Sequence, residues 1–336
     1  MRYLVTGTAG FIGFWLARRL LDRGDEVVGV DSFTPYYDVD LKERRNALLA
    51  ERQGFRLHRI DLADFGALRG AWRDGPFDAV IHLAAQAGVR YSLQNPRAYI
   101  GSNVIGSFNL LELARAHGVR HLMIASTSSV YGVTEKQPFE ESDRADRPVS
   151  LYAATKTAVE AMAHAYSHLF GIPTTTLRFF TVYGPWGRPD MAIFRFTRGI
   201  LEGAPIDIYN RGRMRRDFTY VDDIVEAVLR LAPLAPELGR TSAAVGAADS
   251  LSPVAPYRVV NIGGGHPVEL LAFVEEIERA VGRAALRNYL PMAAGDVPET
   301  FADPRLLETL TGYRPATPIE VGVPAFVSWY RDYYGI

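Results

Sequence analysis

Arg2-Tyr3-Leu4-Val5-Thr6-Gly7-Thr8-Ala9-Gly10-Phe11-Ile12-Gly13 follows the first methionine, and its reading decides the fold. Arg2 to Thr6 is a short, mostly apolar run of strand character. Glycines stand at 7, 10 and 13, and Phe14-Trp15-Leu16-Ala17-Arg18-Arg19-Leu20-Leu21 then has a helical pattern that Gly24 ends. Strand, glycine turn and helix in that order open a parallel α/β sheet. Glycines at the turn let the main chain approach a pyrophosphate, whose charge faces the helix N-terminus. The next apolar run, Glu26 to Val30, ends in Asp31, 24 residues after Gly7. A carboxylate at the end of the second strand hydrogen-bonds ribose hydroxyls and repels a 2′-phosphate, so the expected dinucleotide is NAD rather than NADP.

Strand and helix patterns keep alternating along the chain. Phe55 to Ile60 reads as a third strand, ending at Asp61-Leu62, and Asp78 to Ala85 as a fourth. His121 to Ser126 reads as the fifth and Thr174 to Phe180 as the sixth, with long helices over 97–117 and 151–170. His82, inside a buried strand, reads as a satisfied core residue rather than a ligand. The predicted fold is α/β, a Rossmann-type doubly wound parallel sheet over residues 1–180. A smaller C-terminal α/β substrate-binding lobe is expected over 181–336, with segments around 217–232 and 258–262 returning to the first domain. Residues 233–256, rich in Ala, Pro, Ser and Gly, read as a surface loop.

Composition narrows the function. The chain has 336 residues, 48% of them hydrophobic and 22% charged, enough for a large core and two lobes. A net charge of −1 provides no general basic field for nucleic acid or a membrane surface. Cysteine is absent, which excludes disulfide frameworks and thiolate metal sites. No metal-ligand spacing is found, and no stretch is long and apolar enough to span a bilayer. A cytoplasmic protein is the expectation.

The reactive residues are expected in Ser126-Thr127-Ser128-Ser129-Val130-Tyr131-Gly132 and Tyr152-Ala153-Ala154-Thr155-Lys156. Tyr152 and Lys156, four apart on a helix, share one face. A cation beside a phenol favours the phenolate, and a phenolate that accepts an alcohol proton is the acid–base half of a nicotinamide oxidoreductase. Further on, Val182 to Asp190 is rich in turn formers, and its Gly/Pro setting makes the segment around Arg188 an expected binding loop. The basic cluster from Arg213 to Asp217 reads equally well as solvated surface.

These residues resemble the extended short-chain dehydrogenase/reductases of the nucleotide-sugar epimerase and dehydratase group, and within it the UDP-glucuronate 4-epimerases. The general marks are Thr6 to Gly13, Asp61-Leu62, His82 to Ala85, Thr127 and the Tyr152/Lys156 pair. Narrower marks are Tyr36-Tyr37-Asp38, Gln86 to Ser92, Arg178 to Ala192, Arg216 to Asp223, Gly295-Asp296-Val297 and Phe326 to Arg331. The resemblance implies Thr127, Tyr152 and Lys156 as catalytic residues. It implies NAD held by Gly7, Gly10, Phe11, Ile12, Gly13, Asp31, Asp61, Leu62, Leu83, Ala84, Ala85, Tyr152 and Lys156. A UDP-sugar would meet Arg90, Thr127, Ser128, Ser129, Tyr152, Thr181, Arg188, Arg213, Arg216 and Asp296. Sugar 4,6-dehydratases of this group carry Asp-Glu where this chain has Ser128-Ser129, and decarboxylases carry Glu near the second position. Hydroxyls cannot do that acid–base work, so epimerisation is the implied reaction. Thr181, often Asn where the sugar is a neutral hexose, tilts the expectation to a uronate. UDP-glucose 4-epimerase, an ordinary NADH-releasing dehydrogenase and a non-catalytic NAD-binding regulator are the alternatives. Relatives often carry Gln-Pro in place of Ala293-Ala294, which bears on local nucleotide contacts. They also pair helices equivalent to 97–117 and 151–170 across a two-fold axis, so a homodimer is implied.

Overall fold

A computed structural model describes residues 1–134, 136–242, 249–293 and 295–336. Seven parallel strands form its main sheet. They are β1 (Arg2–Thr6), β2 (Glu26–Asp31), β3 (Phe55–Arg59), β4 (Ala79–His82), β5 (Leu122–Thr127), β6 (Thr174–Phe179) and β7 (Tyr257–Ile262). Their order is β7-β6-β5-β4-β1-β2-β3. The order reverses between β1 and β4, which opens a crevice at the carboxyl ends of these neighbours. β1, β4, β5 and β6 are buried almost throughout, which is why they read as near-continuous apolar or small-residue runs.

Helices cover both faces. On one, α1 (Phe11–Asp22) packs with the helix Val221–Leu231 through Phe14, Leu16, Leu20, Ile224 and Val228. On the other, Phe65–Trp72, Gly106–His117 and Leu151–Phe170 bury Leu68, Leu110, Leu113 and Val159. The helix Leu151–Phe170 starts at Ser150, whose hydroxyl accepts from the Ala153 N–H, and stops at Gly171 in the left-handed region. Beyond Phe180 a third core gathers Ile193, Phe194, Phe273, Val323 and Phe326, with Phe218 and Phe273 stacked at 3.8 Å. Small sheets flank it, one joining Thr181–Tyr183 to Phe218–Tyr220 in parallel.

Three expectations need adjusting. The helix predicted over 97–117 is broken into Pro96–Tyr99, a π-helical turn Ile100–Ile105 and Gly106–His117. The wider turn accompanies a buried Asn103, whose amide donates to Gln86 O (3.1 Å) and Thr155 Oγ1 (3.0 Å) and accepts from the Gln86 N–H (2.7 Å). The fourth strand stops at His82 rather than Ala85, because Leu83 to Ala87 leave the sheet to line the crevice. Of the segment read as a surface loop, residues 243–248 lie outside the described residues. Its Asp249 instead makes a buried ion pair with Arg258 of β7 (2.9 Å).

Candidate active site

The crevice is an open cleft. Gly7, Gly10, Phe11, Ile12, Gly13, Asp31, Asp61, Leu62, Leu83, Ala84, Ala85, Thr127, Tyr152, Lys156 and Arg188 all line it. At one end, the β1–α1 turn admits only glycine at two places. Gly7 has φ 83° and would put a Cβ 2.9 Å from Ala84 N, and a Cβ on Gly13 would overlap the Gly7 carbonyl. The turn is therefore a bare main-chain cradle at a helix N-terminus, which fits a pyrophosphate. Asp31, at the end of β2, accepts from Ala9 N (3.0 Å) and Phe33 N (2.8 Å). Burial pushes its pKa up, while those two N–H donors and Lys42 oppose the shift. The residues present thus fit an adenosine dinucleotide.

At the other end, β5 delivers Thr127 and the helix Leu151–Phe170 delivers Tyr152 and Lys156. Burial raises the pKa of the Tyr152 phenol, and the Arg188 cation and the Thr127 hydroxyl work against that rise. This differs from the reading of Lys156 as the cation that favours the phenolate. The Lys156 ammonium donates to Ala125 O (2.9 Å) in this structure, and burial pulls its pKa down to about 8 against the pull of Glu160. His82 is a core residue, its ring bonded to Thr6 Oγ1 (2.8 Å) and Ser107 Oγ (2.9 Å) and its pKa lowered by burial to about 3.

Arg188 is held by its neighbours. Its Nε and Nη2 donate to the two Asp190 oxygens (3.0 and 2.6 Å), and the Tyr36 hydroxyl donates to the same carboxylate (3.1 Å). Burial works against the Arg188 charge, and Asp190 more than offsets it, so the guanidinium stays cationic. Nη1 makes no hydrogen bond among the described residues. The remaining expected residues do not line the cleft. Ser129 accepts from the Thr127 hydroxyl (3.2 Å), with Ser128 beside it in the same 3₁₀ turn. Thr181 sits on a short strand, its N–H on Asp217 O (3.1 Å).

Arg90, Arg216 and Asp296 form a second group. Arg90 pairs with Asp296 (2.9 Å) and lies over the Tyr209 ring, while Arg216 donates to Val297 O (2.6 Å) and Pro298 O (3.0 Å). Arg213 is exposed, its main chain bonded to Asn210, and Ala294 lies outside the described residues. Sequence reasoning missed Lys42, Arg45, Asn103 and Asp190. Lys42 and Arg45 are three apart on the helix Val39–Ala50, where spacing alone suggests a solvated basic face, yet both are buried beside the adenosine end.

Known proteins share this arrangement. A family model described as the NAD dependent epimerase/dehydratase family matches residues 3–240. The chain is 59% identical over 334 residues to a probable UDP-glucuronate 4-epimerase of Rhizobium meliloti (strain 1021), covering 99% of this chain and 98% of that protein. It is 47% identical to UDP-glucuronate 4-epimerase 1 of Arabidopsis thaliana, over 99% of this chain and 77% of the relative. Among solved structures, the UDP-glucuronic acid 4-epimerase of Bacillus cereus in complex with UDP-glucuronic acid and NAD superposes with a TM-score of 0.86. It is 33% identical, over 99% of this chain and 100% of the other. With its seven-stranded Rossmann sheet, its glycine cradle and matches over this length, the chain belongs to the NAD dependent epimerase/dehydratase family.

Proposed function

We propose that this protein is an NAD-dependent 4-epimerase that interconverts UDP-glucuronate and UDP-galacturonate. One observation carries the proposal: a single cleft joins the glycine cradle and Asp31 to Thr127, Tyr152 and Lys156, with Arg188 at the phenol. NAD bound along the cradle supplies the two-electron acceptor and donor for the sugar C4. Tyr152 takes the proton of the 4-hydroxyl as C4 is oxidised and returns it to the same oxygen once the turned 4-keto sugar has presented its other face for reduction. Thr127 hydrogen-bonds the reacting oxygen, and Lys156 orients the nicotinamide ribose.

The intermediate is a 4-keto uronate, a β-keto acid. It loses CO2 when its C5–C6 bond aligns with the carbonyl π system. Arg188, with Nη1 available beyond the Asp190 pair, holds the carboxylate out of that alignment. Ser128 and Ser129 support the carboxylate as hydroxyl donors, and Thr181 joins them. Neither serine can protonate a C6 leaving group, which argues against dehydration. Arg216 and Asp296, with Arg90 beside them, are proposed for the nucleotide end, and Arg213 is the weakest case. The named relatives support the same substrate pair.

The cytoplasm, where nucleotide sugars and NAD are held, is the compartment proposed, and no helix among the described residues is long and apolar enough to cross a membrane. A homodimer through 97–117 and 151–170 is also proposed, supported by exposed Ile105, Phe108, Leu169 and Phe170 on those segments. The test incubates the protein with UDP-glucuronate and, separately, UDP-glucose, and resolves products by proton NMR. UDP-galacturonate is expected from the first and little UDP-galactose from the second. No UDP-galacturonate would overturn the proposal.

A further inference from the structure

Arg45 is 0% exposed, a full guanidinium inside the protein. Among the described residues no carboxylate is bonded to it. Nη1 donates to Ala9 O (2.8 Å) and to the Tyr37 hydroxyl (2.8 Å), and Nη2 donates to Trp186 O (2.6 Å) and Gly187 O (3.2 Å). A buried cation with no carboxylate bonded to it is costly even with Asp31 in electrostatic reach, and an apolar side chain of similar volume would fill the core more cheaply. What a planar guanidinium does that an apolar residue cannot is hold two pairs of acceptors at once in a rigid fork.

The acceptors it holds are specific ones. Ala9 lies between Gly7 and Gly10 of the glycine cradle, and Trp186-Gly187 immediately precede Arg188. Trp186 has φ 62°, the left-handed region that a bulky residue adopts only when its surroundings enforce it, and Arg45 takes its carbonyl. The same stretch of chain makes a second tie, because the Tyr36 hydroxyl donates to the Asp190 carboxylate that grips Arg188. Residues 36–45 therefore connect the cofactor cradle to the loop of the carboxylate-binding arginine twice, at its main chain and at its counter-ion.

We infer that Arg45 is a positioning residue that fastens the Trp186-Gly187 main chain to the glycine cradle and so sets where Arg188 meets the uronate carboxylate. The inference rests on the uronate reading above. When Arg188 is displaced, the C5–C6 bond of the 4-keto uronate can align with the ketone. That bond then breaks, its electron pair forms the C4–C5 enolate, CO2 leaves and a proton adds at C5, giving a UDP-4-keto-pentose; the hydride taken from C4 would stay on the bound cofactor as NADH, or return to the ketone to give a UDP-pentose.

The test uses R45K, which keeps a buried cation but not the fork. The expected result is a loss in kcat/KM for UDP-glucuronate of about 10- to 100-fold, mostly in KM, with UDP-4-keto-pentose rising by a similar factor in the NMR spectrum. Bound NAD retained through gel filtration should also fall, since the cradle loses its tie. R188A should leak the same by-product, and R45K/R188A should leak no more than R188A alone, because the two act through one contact. A lowered melting temperature with wild-type product purity and wild-type KM would overturn the role of Arg45. If R45K does not fold, Tyr36→Phe decides: it deletes one hydroxyl from the second tie and should leak in the same direction, and pure epimer from folded Y36F would overturn the inference. Wild-type protein that forms no UDP-galacturonate would instead overturn the uronate reading, and the inference with it.

Discussion

Lys156 is buried where its charge is poorly matched. Its ammonium has one carbonyl partner, Ala125 O, and burial lowers its pKa from 10.5 to about 8 despite Glu160. The unfolded chain keeps that proton up to the ordinary lysine range, while the folded protein releases it near 8. Below about pH 8 the group therefore weakens the fold, and the penalty disappears as pH rises toward the ordinary lysine range. At about 1.4 kcal/mol per unit this amounts to something on the order of 3 kcal/mol. Lys156→Met should accordingly unfold at a higher temperature than wild type near neutral pH, with epimerisation abolished and the gap closing near pH 10, as calorimetry at the two pH values would show. A variant less stable than wild type near neutral pH would contradict the account. Its cost to the fold is what the proposed role at the nicotinamide ribose would explain.

Below the cleft, β5, β6 and the helix Leu151–Phe170 are joined by a buried ionic group. Arg178 of β6 grips Glu160 through Nε (3.0 Å) and Nη2 (2.7 Å), and Ser126 of β5 donates to the same carboxylate. Glu160 lies one turn beyond Lys156, so this cluster sets the height of the helix that carries Tyr152. Glu141, from the connection before that helix, accepts from Asn261 N (2.8 Å) of β7. Burial raises its pKa from 4.5 to about 7, with Asp303 adding to the rise and the N–H donors and Arg178 opposing it. A raised carboxyl keeps its proton in the fold after the unfolded chain has lost it. Its contribution is whole below the unfolded value and is lost as pH climbs through about 7. Glu141→Gln should therefore be more stable than wild type by about 3 kcal/mol near pH 8 and indistinguishable near pH 4, measured by urea unfolding. A gap that persists at the lower pH would refute the titration.

At the scale of the whole molecule, the π-helical turn Ile100–Ile105 and the helices Gly106–His117 and Leu151–Phe170 leave Ile105, Phe108, Leu169 and Phe170 exposed. The Phe108 and Tyr166 rings meet edge to face at 6.5 Å and form a ready-made aromatic anchor. Phe108→Glu should weaken self-association by about 30-fold or more, read as a shift from dimer to monomer mass in light scattering at micromolar protein. Wild-type protein of monomer mass at all concentrations would remove the dimer.

The fold was legible where a local rule has one structural meaning. Glycines at 7, 10 and 13 between a strand and a helix specify a phosphate cradle, because side chains there would collide with main chain. Strand periodicity located the sheet, and Ser150 and Gly171 mark the ends of the helix with Tyr152 and Lys156. The π-helical turn at 100–105 was not legible, since it depends on Asn103 reaching Gln86 and Thr155 from another segment. Nor was the charge that favours the phenolate: helical spacing pointed to Lys156, whereas packing sends Lys156 to Ala125 O and leaves the Arg188 cation, on the same cleft, to oppose the rise of the Tyr152 pKa. The chain by itself thus determined the elements, the dinucleotide and the residue types of the cleft, all of which rest on neighbours in sequence. Only the tertiary structure decided which charges meet. Arg45 joins Ala9 to Trp186 across separations of 36 and 141 residues, and contacts between such distant segments are set by how the elements pack.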